Sequence, residues 1–196
     1  MAGNLAAAEL ASRLEWLEPC WVVMPHHTGE VPPPEELLAE MRRHNVRAVR
    51  LFPALQNWLL TDYGAGELLD ALEAARVPTF VDFDQTNWDQ VHQLCSSHPN
   101  LPLVLVRVGY RIDRIAYPLL ERHPNLRFEI SGYQVHHGIE EISRRFGIHR
   151  LLFGTALPGI EPGGAVAIVT YADLPVEEKQ LMAAGNLESL LEQANP

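Results

Sequence analysis

The chain has 196 residues, 47% of them hydrophobic and 20% charged. That balance builds one sizeable core and excludes a disordered or low-complexity protein. A formal charge of −10 repels phosphate backbones, so nucleic acid is not an expected partner.

Taken in order, Leu5–Leu17 is rich in Ala, Leu and Glu, with Leu10, Leu14 and Leu17 on one stripe, and predicts a helix. Trp21–Met24 is a short strand stopped by Pro25, and His26, His27, Thr28 and Gly29 follow it. Pro34 stands at a first-turn position ahead of an amphipathic helix over Glu35–Asn45. Val46–Phe52 predicts a strand ended by Pro53. A loop holding Gln56, Asn57 and Trp58 leads to a helix over Gly66–Arg76. Strand Pro78–Phe83, helix Trp88–Ser97, strand Pro102–Val108 and helix Tyr110–Arg122 come next. Arg127–Ser131 alternates as a strand and breaks at Gly132. Gly138–Phe146 carries Ile139, Ile142 and Phe146 on one helical face and ends at Gly147. Leu151–Phe153 is a last short strand. A brief helix near Val166–Tyr171 follows, and then a helix over Val176–Gln193, capped by Asp173 and interrupted at Gly185-Asn186.

Six short strands, apolar on both faces and each followed by a helix, require parallel βαβ units within one domain over 1–196. A doubly wound sheet and a (β/α) barrel both satisfy that pattern. No glycine-rich phosphate loop follows any strand, which leaves the nucleotide-binding version unsupported. A closed barrel has eight strands and about 250 residues, so six strands would make an incomplete one. Cys20 and Cys95 are far apart among apolar neighbours, as in a reducing compartment. With no bilayer-length apolar run and no signal-peptide pattern, the expectation is a cytoplasmic protein that avoids membranes.

The stretch Phe153-Gly154-Thr155-Ala156-Leu157-Pro158 resembles the closing strand of the amidohydrolase-related (amidohydrolase 2 type) metal-dependent hydrolases, where Phe-Gly-Ser-Asp-x-Pro stands. Glu178-Lys179 through Gly185-Asn186-Leu187 is similar to that family's ending. Val46–Pro53 and Leu126–Gly132 are similar to its middle and late strands, and the likeness runs from Gly3 to Leu191. It implies an incomplete TIM-type barrel of hydrolase and decarboxylase lineage, with the first two βα units of the family barrel absent and Trp21–Met24 as its third strand. The family's metal ligands have no counterparts here. There is no His-x-His strand, Thr79–Phe83 and Leu103–Arg107 carry no histidine, and the closing aspartate is Ala156. A hydrolytic zinc takes about three protein ligands plus water, so neither a metal of the family type nor another cofactor is expected.

Barrels keep their chemistry at the C-terminal ends of the strands. The polar residues there are His26 and His27, Gln56 and Asn57, Asp82, Asp84 and Asn87, Arg107 and Arg111, Glu129, Ser131, Tyr133, His136 and His137, and Thr155. Asp82 or Asp84 is the candidate general base and Arg107 or Arg111 the anion clamp, with His26, Ser131, His136 and Thr155 as candidate ligand contacts. Each has a plainer reading. Asp82 and Arg107 form a structural ion pair, Asp84 caps the helix at Trp88, Glu129 pairs with Arg127, and the adjacent histidines are solvated loop residues. Three functions remain open: metal-independent chemistry on a small molecule, a binding or assembly module without catalysis, and a fragment of a longer barrel. Open sheet edges expose unpaired backbone, which predicts either a homodimer covering the gap, with Leu5–Leu17 packed over it, or a flattened, open half-barrel.

Overall fold

The computed structural model describes residues 1–196. Six strands form one parallel sheet: β1 (Cys20–Val22), β2 (Ala48–Leu51), β3 (Thr79–Asp82), β4 (Leu103–Val106), β5 (Leu126–Glu129) and β6 (Leu151–Leu152). They are hydrogen-bonded in sequence order, and β1 and β6 do not pair. The expected incomplete (β/α) barrel is therefore what forms: a helix between consecutive strands returns the chain to the same end of the sheet, which keeps neighbours parallel.

The helices are α1 (Ala2–Ala11), α2 (Pro34–Arg43), α3 (Asp62–Ala74), α4 (Trp88–Ser97), α5 (Asp113–Arg122), α6 (Gly138–Phe146), α7 (Gly163–Tyr171), α8 (Val176–Gln180) and α9 (Asn186–Gln193). None is long and apolar enough to cross a membrane. α2 shows why the sequence folds locally. Pro34 opens it, Glu35 and Glu36 occupy the first turn, and Arg42 and Arg43 the last. Each charge sits at the end where the helix dipole favours it.

Alternation along the strands divides the core in two. Val49, Leu51, Val81, Leu103, Leu105 and Phe128 are buried in the main cluster that holds the sheet against its helices. Phe80, Val104 and Leu152 point the other way and meet Leu187 and Leu190 of α9. The C-terminal helix therefore fills part of the concave face. The chain end is tied down beyond it: Asn195 N–H donates to the Ala75 carbonyl at 2.8 Å and Arg42 donates to the Pro196 carbonyl.

Several local expectations are corrected. α1 stops at Ala11, buries Ala8 and Ala11, and leaves Leu10 54% exposed. Small side chains let it lie close to β1, where Asn4 Nδ2 donates to the Val22 carbonyl at 2.7 Å and Asn4 Oδ1 accepts from Val22 N–H at 2.9 Å. Asp173 does not cap α8, which starts after Pro175; its N–H donates to the Glu140 carboxylate. The interruption at Gly185-Asn186 is a π-helical turn over Leu181–Gly185 that joins α8 to α9. Asn186 Nδ2 donates to the Ile148 and Leu151 carbonyls, both at 2.8 Å. The Met182 carbonyl of that turn accepts from Phe153 N–H just past β6. Wide turns of this kind free backbone groups for such contacts.

Candidate functional site

Asp82 ends β3 and is fully buried. A buried carboxylate requires partners, and it has two. Arg50 from β2 donates to Oδ2 through Nε at 2.7 Å and Nη2 at 2.5 Å. Arg107, immediately after β4, donates to Oδ1 through Nε at 2.9 Å and Nη2 at 2.8 Å. Each oxygen thus receives two N–H donors of one arginine, and hydrogen bonds between ionised partners are the stronger kind. The Arg50 and Arg107 side chains remain 38% and 40% exposed, so two guanidinium edges face solvent at the mouth of the barrel. Asp84 accepts from Arg107 Nη2 at 3.2 Å and is 63% exposed.

The backbone is shaped around Arg107. Its φ is 57°, a left-handed conformation that costs an arginine about 1–3 kcal/mol and persists only where surroundings impose it. Gly132 makes room for it, since a Cβ there would lie 2.9 Å from Arg107 Cα. Behind Arg107 stands Glu129, 6% exposed. Glu129 Oε1 accepts from Ser131 N–H at 2.7 Å, and Oε2 accepts from Ser131 Oγ at 2.7 Å and from Arg107 N–H at 3.3 Å. A Cβ on Gly154 would overlap the Glu129 carboxylate, so that carboxylate occupies the space a side chain would need.

Of the residues singled out in the sequence, the structure brings Asp82, Asp84 and Arg107 into one ion cluster. Ser131 joins it through Glu129. Thr155 follows Gly154 and accepts from Leu157 N–H at 3.4 Å. Thr155 and the other three lie outside the cluster's hydrogen bonds and ion pairs. His26 stacks on His27 at 4.5 Å and is 3.8 Å from Glu67. His136 packs on His137 at 4.1 Å. Arg111 lies over the Tyr110 ring at 5.5 Å. The Asp82–Arg107 pair forms as expected. Asp84 does not cap α4, because Asn87 Oδ1 accepts from Gln90 N–H there. Glu129 does not pair with Arg127, whose Nη1 donates to the Asn125 carbonyl and whose pKa is pushed down by burial.

Arg50 is the residue that sequence reasoning missed. The signal was present in Val-Arg-Ala-Val-Arg-Leu-Phe. Val49 and Leu51 face the helices, so Arg50 between them faces the interior of the barrel. Register places it beside Phe80, which is level with Val104 and then Arg127. Two clefts flank the cluster rather than contain it. One of about 270 Å³ is lined by Trp58, Leu60, Asp84, Gln85 and Asn87. Across Trp58 lies another of about 380 Å³ bounded by Met24, His27, Gln56 and Tyr63. Asp84 is the bridge between the first cleft and the arginine pair.

This geometry defines a class: an open (β/α) barrel with its polar side chains gathered at the downstream ends of the strands. The chain belongs to the amidohydrolase family, whose model, described as Amidohydrolase, matches residues 2–191. No curated protein sequence matches it. An uncharacterized TIM-barrel protein from Bordetella bronchiseptica superposes with a TM-score of 0.77 at 20% identity, covering 98% of this chain and 73% of that one. The 2,6-dihydroxybenzoate decarboxylase from Rhizobium gives 0.68 at 12% identity, over 97% and 76%. An amidohydrolase from Burkholderia multivorans with bound zinc gives 0.71 at 15% identity, over 97% and 79%. At these identities the likeness is one of fold.

Proposed function

We propose that the chain binds a small organic carboxylate at the barrel mouth, without a metal of the family type, against the exposed edges of Arg50 and Arg107. The observation that carries this reading is the sharing of one buried carboxylate by two arginines. Asp82 fixes both guanidiniums before any ligand arrives, so little side-chain entropy is lost on binding. Asp84, held by Arg107 and Gln85 and largely exposed, is the carboxylate free to yield its place or exchange a proton. Asp82 is unsuited to that role because both its oxygens are engaged. The 270 Å³ cleft with Trp58 beside Asp84 has the size of a single aromatic ring and its substituents. A hydroxybenzoate is therefore the class chosen, and the decarboxylase fold relative supports that choice.

The absence of a family-type metal is part of the same proposal. The buried Asp82 carboxylate is already saturated by two cations, and a dication would have to displace or face both. Glu129 is buried on Ser131 and aimed away from solvent, and Ala156 stands where the family has its closing aspartate. These donors do not make the three-ligand set a catalytic metal requires.

Calorimetric titration tests the reading. 2,6-Dihydroxybenzoate or benzoate should bind at least tenfold more tightly than uncharged benzamide. Arg107→Met should abolish that preference while the circular dichroism stays that of a folded chain. Added manganese should leave the affinity unchanged. Equal binding of acid and amide would overturn the arginine site, and strong enhancement by manganese would overturn its metal-free character.

A further inference from the structure

At the opposite rim of the barrel, where strands begin, three side chains converge that the mouth does not use. Asp70 and Glu73 lie three residues apart on α3 and so share one face. His98 follows the last turn of α4, ahead of β4. One ligand atom from each of the three lies within 4.8 Å of the others. Acidic pairs on helices are common and carry nothing by themselves. The informative group is His98, only 3% exposed, whose Nδ1 has no hydrogen-bond partner. That nitrogen points at Asp70 Oδ1 and Glu73 Oε2, each 3.4 Å away.

Those spacings are long for N–H···O hydrogen bonds, which cluster at about 2.7–3.2 Å. They match the edge of a tetrahedron instead: ligands about 2.1 Å from a central zinc ion lie about 3.4 Å apart. The surrounding structure holds the three in place. Glu73 Oε1 accepts from Asn100 N–H at 2.7 Å, which leaves Oε2 turned towards His98. Asn125 Nδ2 donates to the His98 and Leu101 carbonyls at 2.9 and 3.1 Å, which pins the loop. Such supporting contacts orient metal ligands. Asp70 is 72% exposed and provides both an entry path and an open side for water as fourth ligand.

We infer that Asp70, Glu73 and His98 form a divalent-cation site of zinc type, holding α3 to the α4–β4 connection. One dication would cancel the two carboxylates and satisfy the buried imidazole nitrogen. The site is independent of the carboxylate proposal for the mouth.

The test is a zinc titration of the full chain against a competing chromophoric chelator, with thermal midpoints measured with and without zinc. One equivalent should bind and raise the midpoint. Asp70→Asn lies at the surface, and Glu73→Gln still accepts from Asn100, so both variants should fold. Each should weaken zinc binding at least as much as loss of a supporting contact does, about 10-fold or more, and abolish the midpoint rise. Cobalt should give the intense visible bands of a tetrahedral site in the parent chain only. The inference is overturned if the parent chain fails to take one equivalent, or if both variants bind zinc as tightly as the parent.

Discussion

Arg50, Asp82 and Arg107 come from three neighbouring strands, and none of them works alone. Only the Asp82–Arg107 half was legible in the sequence, because both residues end apolar strands. Arg50 lies within a strand, where an arginine reads as surface until the sheet's two faces are assigned. Glu129 was legible as a strand-end carboxylate, but its partner was not. Ser131 lies two residues further along a short helical turn, whereas strand alternation points to Arg127. Gly154 now carries a definite burden. Gly154→Ala should push the Glu129 carboxylate off Ser131 and lower stability by about 1–3 kcal/mol, a fall of several degrees in melting midpoint by calorimetry; an unchanged midpoint would show that the carboxylate has room to move.

A second residue-level expectation concerns protons. His92 Nδ1 and His123 Nε2 are 2.7 Å apart. Burial holds His123 below the usual imidazole range, and the neighbouring His92, Arg122 and Arg150 lower it further. A depressed folded-state pKa gives stability that is present above the unfolded value of about 6.5 and is lost as pH falls through the folded one. The melting midpoint should therefore drop between pH 7 and pH 5, and His123→Gln should flatten the drop. A wild-type midpoint that does not change across that range would remove the effect.

Among the elements, helices were the most legible and their ends the least. α4 and α6 run over the predicted residues because the amphipathic signal is clear in both, although α4 is capped by Asn87 and not by the expected Asp84. α1 was misjudged because its composition favours helix well past Ala11, while its packing depends on Ala8 and Ala11 approaching β1. The decisive contact is the Asn4 amide, which satisfies the donor and acceptor of Val22 as a further strand would. Asn4→Ala should cost about 1–2 kcal/mol from two lost hydrogen bonds. The same change should speed hydrogen exchange at the Val22 amide specifically; exchange spread evenly along β1 would indicate fraying of the whole helix instead. The π turn was legible only as an interruption, since nothing local shows that Asn186 reaches back to Ile148 and Leu151.

For the whole molecule, strand count and parallel sense were legible because βα alternation leaves few topologies; the sequential order came only with the family resemblance, since a doubly wound sheet satisfied the alternation equally. The filling of the concave face by α9 was not, because Leu187 and Leu190 also read as an ordinary helix stripe. Cys95 reports on the integrity of this core. It is 1% exposed, and burial pushes its thiol up to about 12. At pH 8 it should react with a thiol reagent only at the rate of unfolding, as peptide mapping would show; immediate labelling would reveal an opening of the α4 layer. A homodimer remains a proposal; large apolar side chains such as Trp16 and Tyr171 are 79% and 84% exposed. Light scattering at micromolar concentration should give the mass of two chains, and a one-chain mass would remove it.

The amide of Asn4 has one more effect, on how this protein ages at high concentration. Fibril growth needs a free strand border onto which the next molecule can zip. Here one border meets a side-chain amide at the last of its three residues, and the other offers two residues before the backbone turns to Met182. A heated or long-stored solution should cloud through loss of tertiary packing rather than by templated, dye-binding filaments.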